Sequence, residues 1–181
     1  MAKKNRQSRL QSGTETFGKA LNLLEAQDSV LYSWPRNRLS LSHALATHLY
    51  ELLKEGDRKL SVDLCPVLSR SPKALNPDIL VHNRETGSQM LSIVCRNDYL
   101  TENEQDELIR FRRESKCDLV LALSFMTQKN YMLIYVANED KIEYYHFERN
   151  SRTLEPGRSR NLENQPDTAE QLTLDKILKR R

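Results

Sequence analysis

Residues 76–96, NPDILVHNRETGSQMLSIVCR, hold two apolar runs joined by a short polar turn that contains Gly87. Two runs at that spacing predict a β-hairpin. The first run has an acid at its mouth, Asp78 after Pro77, and the second ends in a cation, Arg96. Strand side chains alternate between faces, so Asp78, Leu80 and His82 share one side of their strand, and Ser92, Val94 and Arg96 share one side of theirs. The hairpin therefore predicts an acid and a guanidinium brought together at one end of a sheet.

The flanking sequence predicts what packs on that hairpin. Phe17, Ala20, Leu21, Leu24 and Leu31 fall near helical spacing, with Thr14 as cap, which predicts a helix over 14–29. Leu41, Leu45, His48, Leu49, Leu52 and Leu53 form the stripe of a second helix, capped by Ser40 or Ser42 and stopped by Gly56. Residues 59–68 alternate as a strand with Pro66 near its end. Residues 69–76 form a loop carrying Arg70 and Lys73. After the hairpin, 100–115 reads as a helix with a capping box, Thr101 to Glu104. Residues 118–125, DLVLALSF, are a continuous apolar run, as expected of a strand covered on both faces. Residues 131–137 and 142–147 follow as strands around the turn Asn138-Glu139-Asp140.

This order predicts an α/β fold with a central mixed β-sheet flanked by helices. The helix between the third and fourth strands implies a parallel pairing there. The domain reading is a disordered basic N-terminus over 1–13, a single α/β domain over 14–148, and a polar tail over 149–181 with a short C-terminal helix.

Charge narrows function only mildly. The 28 basic and 25 acidic residues leave a net +3, which permits a nucleic-acid partner without demanding one. The basic residues cluster at the ends, Lys3, Lys4, Arg6 and Arg9 at the start and Lys176, Lys179, Arg180 and Arg181 at the finish. Cys65, Cys95 and Cys117 are far apart and form no CxxC pair, so buried free thiols in a reducing compartment are expected. No apolar stretch approaches the ~20 residues that span a bilayer. The expectation is a cytoplasmic protein without membrane contact.

The order α-β-β-β-α-β over roughly 40–125, together with Pro77-Asp78, the strand ending in a cation and the charged helix after it, resembles the PD-(D/E)XK nuclease superfamily, the restriction-endonuclease-like fold. That resemblance implies a Mg²⁺-dependent phosphodiesterase site. Its motif asks for a carboxylate, any residue and a lysine on the third core strand. Here Val94-Cys95-Arg96 stand in that place, so the motif is degenerate. Arginine holds a phosphate but does not give up its proton to act as a base. The resemblance implies Asp78 as catalytic residue and metal ligand, Arg96 as phosphate clamp, and Glu51 as the supporting acid of the preceding helix. Glu104 and Glu107 would replace the missing metal-binding carboxylate, against the plainer readings of a helix cap and a solvated helix charge. Arg70, Lys73, Arg110 and Arg113 are the candidate nucleic-acid contacts.

Three functions follow as expectations. The first is a nuclease-like protein with a degenerate site that binds nucleic acid and, if active, hydrolyses it. The second is a catalytically inactive interaction or scaffold protein of the same fold, with a partner bound through the basic ends or the C-terminal segment 170–181. A plain α/β domain with an unrelated ligand is the third.

Overall fold

In a computed structural model the chain is described over residues 2–56, 59–68 and 75–161. Seven strands form one sheet in sequential order: β1 (Leu60–Leu64), β2 (Ile79–Asn83), β3 (Gln89–Arg96), β4 (Leu119–Ser124), β5 (Tyr131–Ala137), β6 (Lys141–Glu148) and β7 (Thr153–Asn161). All neighbours pair antiparallel except β3 and β4, which run parallel. The helix α3 (Glu102–Glu114) makes the crossover between them. Helices α1 (Ala2–Gln27) and α2 (Arg38–Gly56), with a short 3₁₀ turn at Ser29–Ser33, pack on the other face. The fold is the α/β architecture that the element order predicts.

Two cores flank the sheet. On the first face Leu21, Leu24, Leu41, Leu45 and Leu49 of α1 and α2 meet Ile79, Leu91, Ile93, Leu121 and Leu123 of β2, β3 and β4. On the second, Leu108 and Ile109 of α3 meet Val94, Val120, Ala122 and Tyr135. All six residues of β4 are buried, as its unbroken apolar run requires of a strand covered on both sides. Burying each such aliphatic side chain is worth about 1.5–3 kcal/mol, so β4 anchors both layers.

The hairpin closes as its composition dictates. Asn83 Oδ1 accepts from the backbone N–H groups of Glu85 and Thr86, and Gly87 takes φ 67°. A side chain at that φ would be strained.

The ends differ from expectation. Helix α1 begins at Ala2, not at 14, so Thr14 is an interior helix residue rather than a cap. The polar start reads as disordered by charge, yet Ala, Lys, Arg and Gln are all good helix formers. Gly13 lies buried, its Cα facing Leu119 and Met90. Helix α2 begins at Arg38, so Ser42 does not cap it; its Oγ donates instead to the Arg38 carbonyl at 2.7 Å. The polar tail expected from 149 instead begins with β7, which pairs with β6 from Glu148↔Thr153 to Lys141↔Asn161. Backbone hydrogen bonds to an existing strand need no apolar side chains, which is why composition missed it.

Candidate functional site

Asp78 is the residue around which the site is built. It stands at the mouth of β2, where its N–H donates to the Ile93 carbonyl at 2.8 Å and its carbonyl accepts from Cys65 N–H at 2.7 Å. The backbone is thus pinned on both sides, and the side chain, 10% exposed, has little freedom. Its Oδ1 accepts from Arg38 Nη1 at 2.5 Å. Its Oδ2 accepts from the buried backbone N–H of Cys95 at 2.7 Å and faces Arg96 Nη1 at 3.7 Å. The acid and guanidinium of the hairpin do come together on one side of the sheet, as the strand alternation predicts.

Arg96 is held in turn. Its Nε donates to Glu104 Oε1 at 2.8 Å and its Nη1 to the Cys95 carbonyl at 2.8 Å. Glu104 completes the capping box of α3: its Oε2 accepts from Thr101 N–H and Thr101 Oγ1, both at 2.9 Å, while Thr101 Oγ1 accepts from Glu104 N–H. Burial raises the Glu104 carboxyl, but the bonds from Arg96 and Thr101 outweigh it and hold the group below its ordinary value. The chain of contacts therefore runs Arg38, Asp78, Arg96, Glu104, alternating in sign. It ties the start of α2 to the start of α3 across the end of the sheet. Beside it, Asn97 Nδ2 donates to Asn37 Oδ1 at 2.9 Å, and Asn37 Nδ2 to the Tyr32 carbonyl at 2.9 Å.

The remaining expected site residues fall elsewhere or play other parts. Glu51 is exposed on α2, thirteen residues along the helix from Arg38, which is ~20 Å of axial rise. It cannot support Asp78. Glu107 is partly buried one turn beyond Glu104. Arg110 is exposed on α3, whereas Arg113 Nε donates to the Glu139 carbonyl and Arg112 Nη1 to the Cys117 carbonyl at 2.9 Å. Arg113 thus ties α3 to the β5–β6 turn instead of offering a free cation. Arg70 and Lys73 lie outside the described residues. Cys95 is fully buried, and burial first, then the Asp78 charge, pushes its thiol up to about 12. It is no nucleophile.

The donor set does not fit a Mg²⁺ ion. Such an ion wants several oxygen ligands in near-octahedral array. Here one Asp78 oxygen accepts from Arg38 and the other from Cys95 N–H, and both Glu104 oxygens are taken by Arg96 and Thr101. Among the described residues no group of three or more His, Cys, Asp or Glu could hold a metal. A guanidinium stands beside Asp78 on each side, and each supplies in place the positive charge that a cation would bring.

Arg38 is the participant that sequence reasoning missed. An arginine at the start of a leucine-rich helix reads as a solvated charge. Only its location directly after Asn37, at the point where the chain enters α2, marks it, and that signal is too weak to stand alone.

Among the described residues no helix is long and apolar enough to cross a membrane. No protein-family model matches the chain, and no curated protein matches it.

Proposed function

We propose that this chain is a nuclease-like domain that holds nucleic acid without hydrolysing it, its former metal position taken over by an ion-pair chain. The observation that carries this reading is the saturation of Asp78 by Arg38, the Cys95 N–H and Arg96. An acid so engaged has no oxygen to offer a metal. Arginine keeps its proton and does not act as a base. The guanidinium side chains of Arg38 and Arg96 stay 38% and 33% exposed, so their outer N–H groups can reach a phosphate. The positive end of α2 begins at Arg38 itself, which adds to the attraction for an anion. Asp78 and Glu104 offset the two cations, so binding is weak and easily displaced by salt.

The test pairs cleavage with binding. Plasmid and single-stranded DNA incubated with Mg²⁺ or Mn²⁺ should stay intact with wild type as with Asp78→Ala. Retention of labelled DNA should fall steeply as salt rises, because counterion release ceases to favour the complex. Arg38→Gln and Arg96→Gln should each weaken it further. Cleavage by wild type and not by Asp78→Ala would overturn the non-hydrolytic reading. Absence of salt-dependent binding would hand the domain to the scaffold reading, which the apolar rim along β1 favours.

A further inference from the structure

The two outer strands of the sheet are protected to different degrees. β7 contains Pro156, which has no N–H to offer, and Gly157, where a Cβ would come within 3.0 Å of the Tyr144 carbonyl oxygen. Its register with β6 shifts between Glu143 and Tyr145. Prolines and irregularities of this kind blunt an edge against further pairing. β1 has neither, and among the described residues no strand pairs with its outer side.

The polarity of that open edge follows from one hydrogen bond. Cys65 N–H donates inward to the Asp78 carbonyl. Backbone groups alternate along a strand, so Ser61 and Asp63 also turn inward, and the N–H and C=O of Leu60, Val62 and Leu64 point away from the sheet. Exposed apolar side chains accompany them, Leu64 at 41% and Tyr50 at 45%, and the segment after the strand adds Val67 at 75% and Leu68 at 41%. Tyr50 lies beside Val62 and Leu64, where α2 crosses the strand.

We propose that this edge is a homodimer interface, in which β1 pairs antiparallel with β1 of a second copy about a twofold axis at Val62. The strand is self-complementary under that operation. Val62 faces Val62 of the second copy as a hydrogen-bonded pair, and Leu60 faces Leu64 of the second copy on either side. Every outward N–H and C=O then finds a partner. Apolar residues meet apolar residues on the α2 face. On the opposite face Ser61 meets Asp63 of the second copy, and the exposed Lys59 lies diagonally across from the same carboxylate. Arg84 and His82, which already contact Asp63, offset the mutual approach of the two acids. A specific interface buries upward of about 1,000 Å² in total, which the strand and its rim from both copies must supply. The result is one continuous sheet with β7 at both ends. The dimer leaves the Asp78 site uncovered, so it stands or falls separately from the proposed function.

The test is sedimentation of the full chain from micromolar to submillimolar concentration, with amide hydrogen exchange on the same samples. Wild type should sediment at twice the mass of one chain at the upper end. The Leu60, Val62 and Leu64 amides should become protected as concentration rises, while those of Ser61 and Asp63 stay protected throughout. Leu64→Lys places a charge on the rim without touching an inward bond, and it should remain folded by circular dichroism and sediment as a monomer. Val62→Pro removes the donor at the axis and should do the same; where it fails to fold, Leu64→Lys decides. A wild-type monomer at the highest concentration would overturn the proposal and leave the edge to a strand from another protein. A dimer that persists in folded Leu64→Lys, or whose outward amides stay unprotected, would overturn it as well.

Discussion

Two aspartates flank the start of β2, Asp78 just before it and Asp63 on the neighbouring β1, each beside an arginine, and they behave differently. At the mouth of the strand Asp78 is 8% exposed, bound to a backbone N–H and set between two guanidinium groups on different elements. On β1, opposite Leu80, Asp63 pairs with His82 at 2.7 Å and with Arg84, but its side chain is 31% exposed and its arginine 66% exposed. Both acids flank β2, yet only one ties separate layers together. Ion pairs in water contribute little, about 0–1 kcal/mol, because solvent screens them and holding two long side chains costs entropy. A buried acid is different: removing it strands the buried Cys95 N–H, which has no water to turn to.

The sharpest way to test that contrast is Asp78→Ala. It leaves the buried Cys95 N–H without an acceptor and takes away the carboxylate of Arg38, while Arg96 keeps Glu104. The expected loss is about 3 kcal/mol in denaturant unfolding. A loss below about 1 kcal/mol would mean that water replaces the carboxylate and that the site is not structurally tight.

Thr101→Ala comes next. It removes the hydroxyl that bonds Glu104 in both directions, and should cost about 1 kcal/mol. It also bears on pH. Because the folded Glu104 carboxyl titrates below its ordinary 4.5, its stabilisation is complete above that value and fades as pH falls through the lower folded value. The slope of wild-type stability below pH 4.5 should therefore flatten in Glu104→Gln. An unchanged slope would place the acid sensitivity elsewhere.

The smallest effect is expected from Asp63→Ala, under about 1 kcal/mol in the dilute monomer and reduced further by salt. A loss equal to that of Asp78→Ala would erase the distinction between the two acids.

Much of the frame was legible in the residues. The hairpin at 76–96, the α2 stripe of leucines, the Thr101–Glu104 capping box and the doubly buried β4 all rest on contacts between near neighbours or on periodicity. Both are written in the chain itself. The meeting of Asp78 with Arg96 also followed from alternation, since each lies at the same end of an adjoining strand. Glu51 was misplaced because the supporting acid was carried over from a resemblance, and thirteen residues of helix separate it from the start of α2. By sequence Glu104 fits either a metal ligand or a helix cap, and its capping bonds with Thr101 and its pair with Arg96 are what the fold holds.

What the sequence determined alone was local order: which segments alternate, which stripe, and which acid and base share a strand end. Three features needed tertiary structure. Arg38 became the partner of Asp78 only when α2 was laid across the sheet, forty residues away along the chain. β7 formed from a polar stretch only because β6 offered it a ladder of backbone bonds. The openness of β1 exists only relative to its position at the end of the sheet. In each case the deciding interaction joins groups distant in sequence, and local side-chain patterns carry no record of which distant group will arrive.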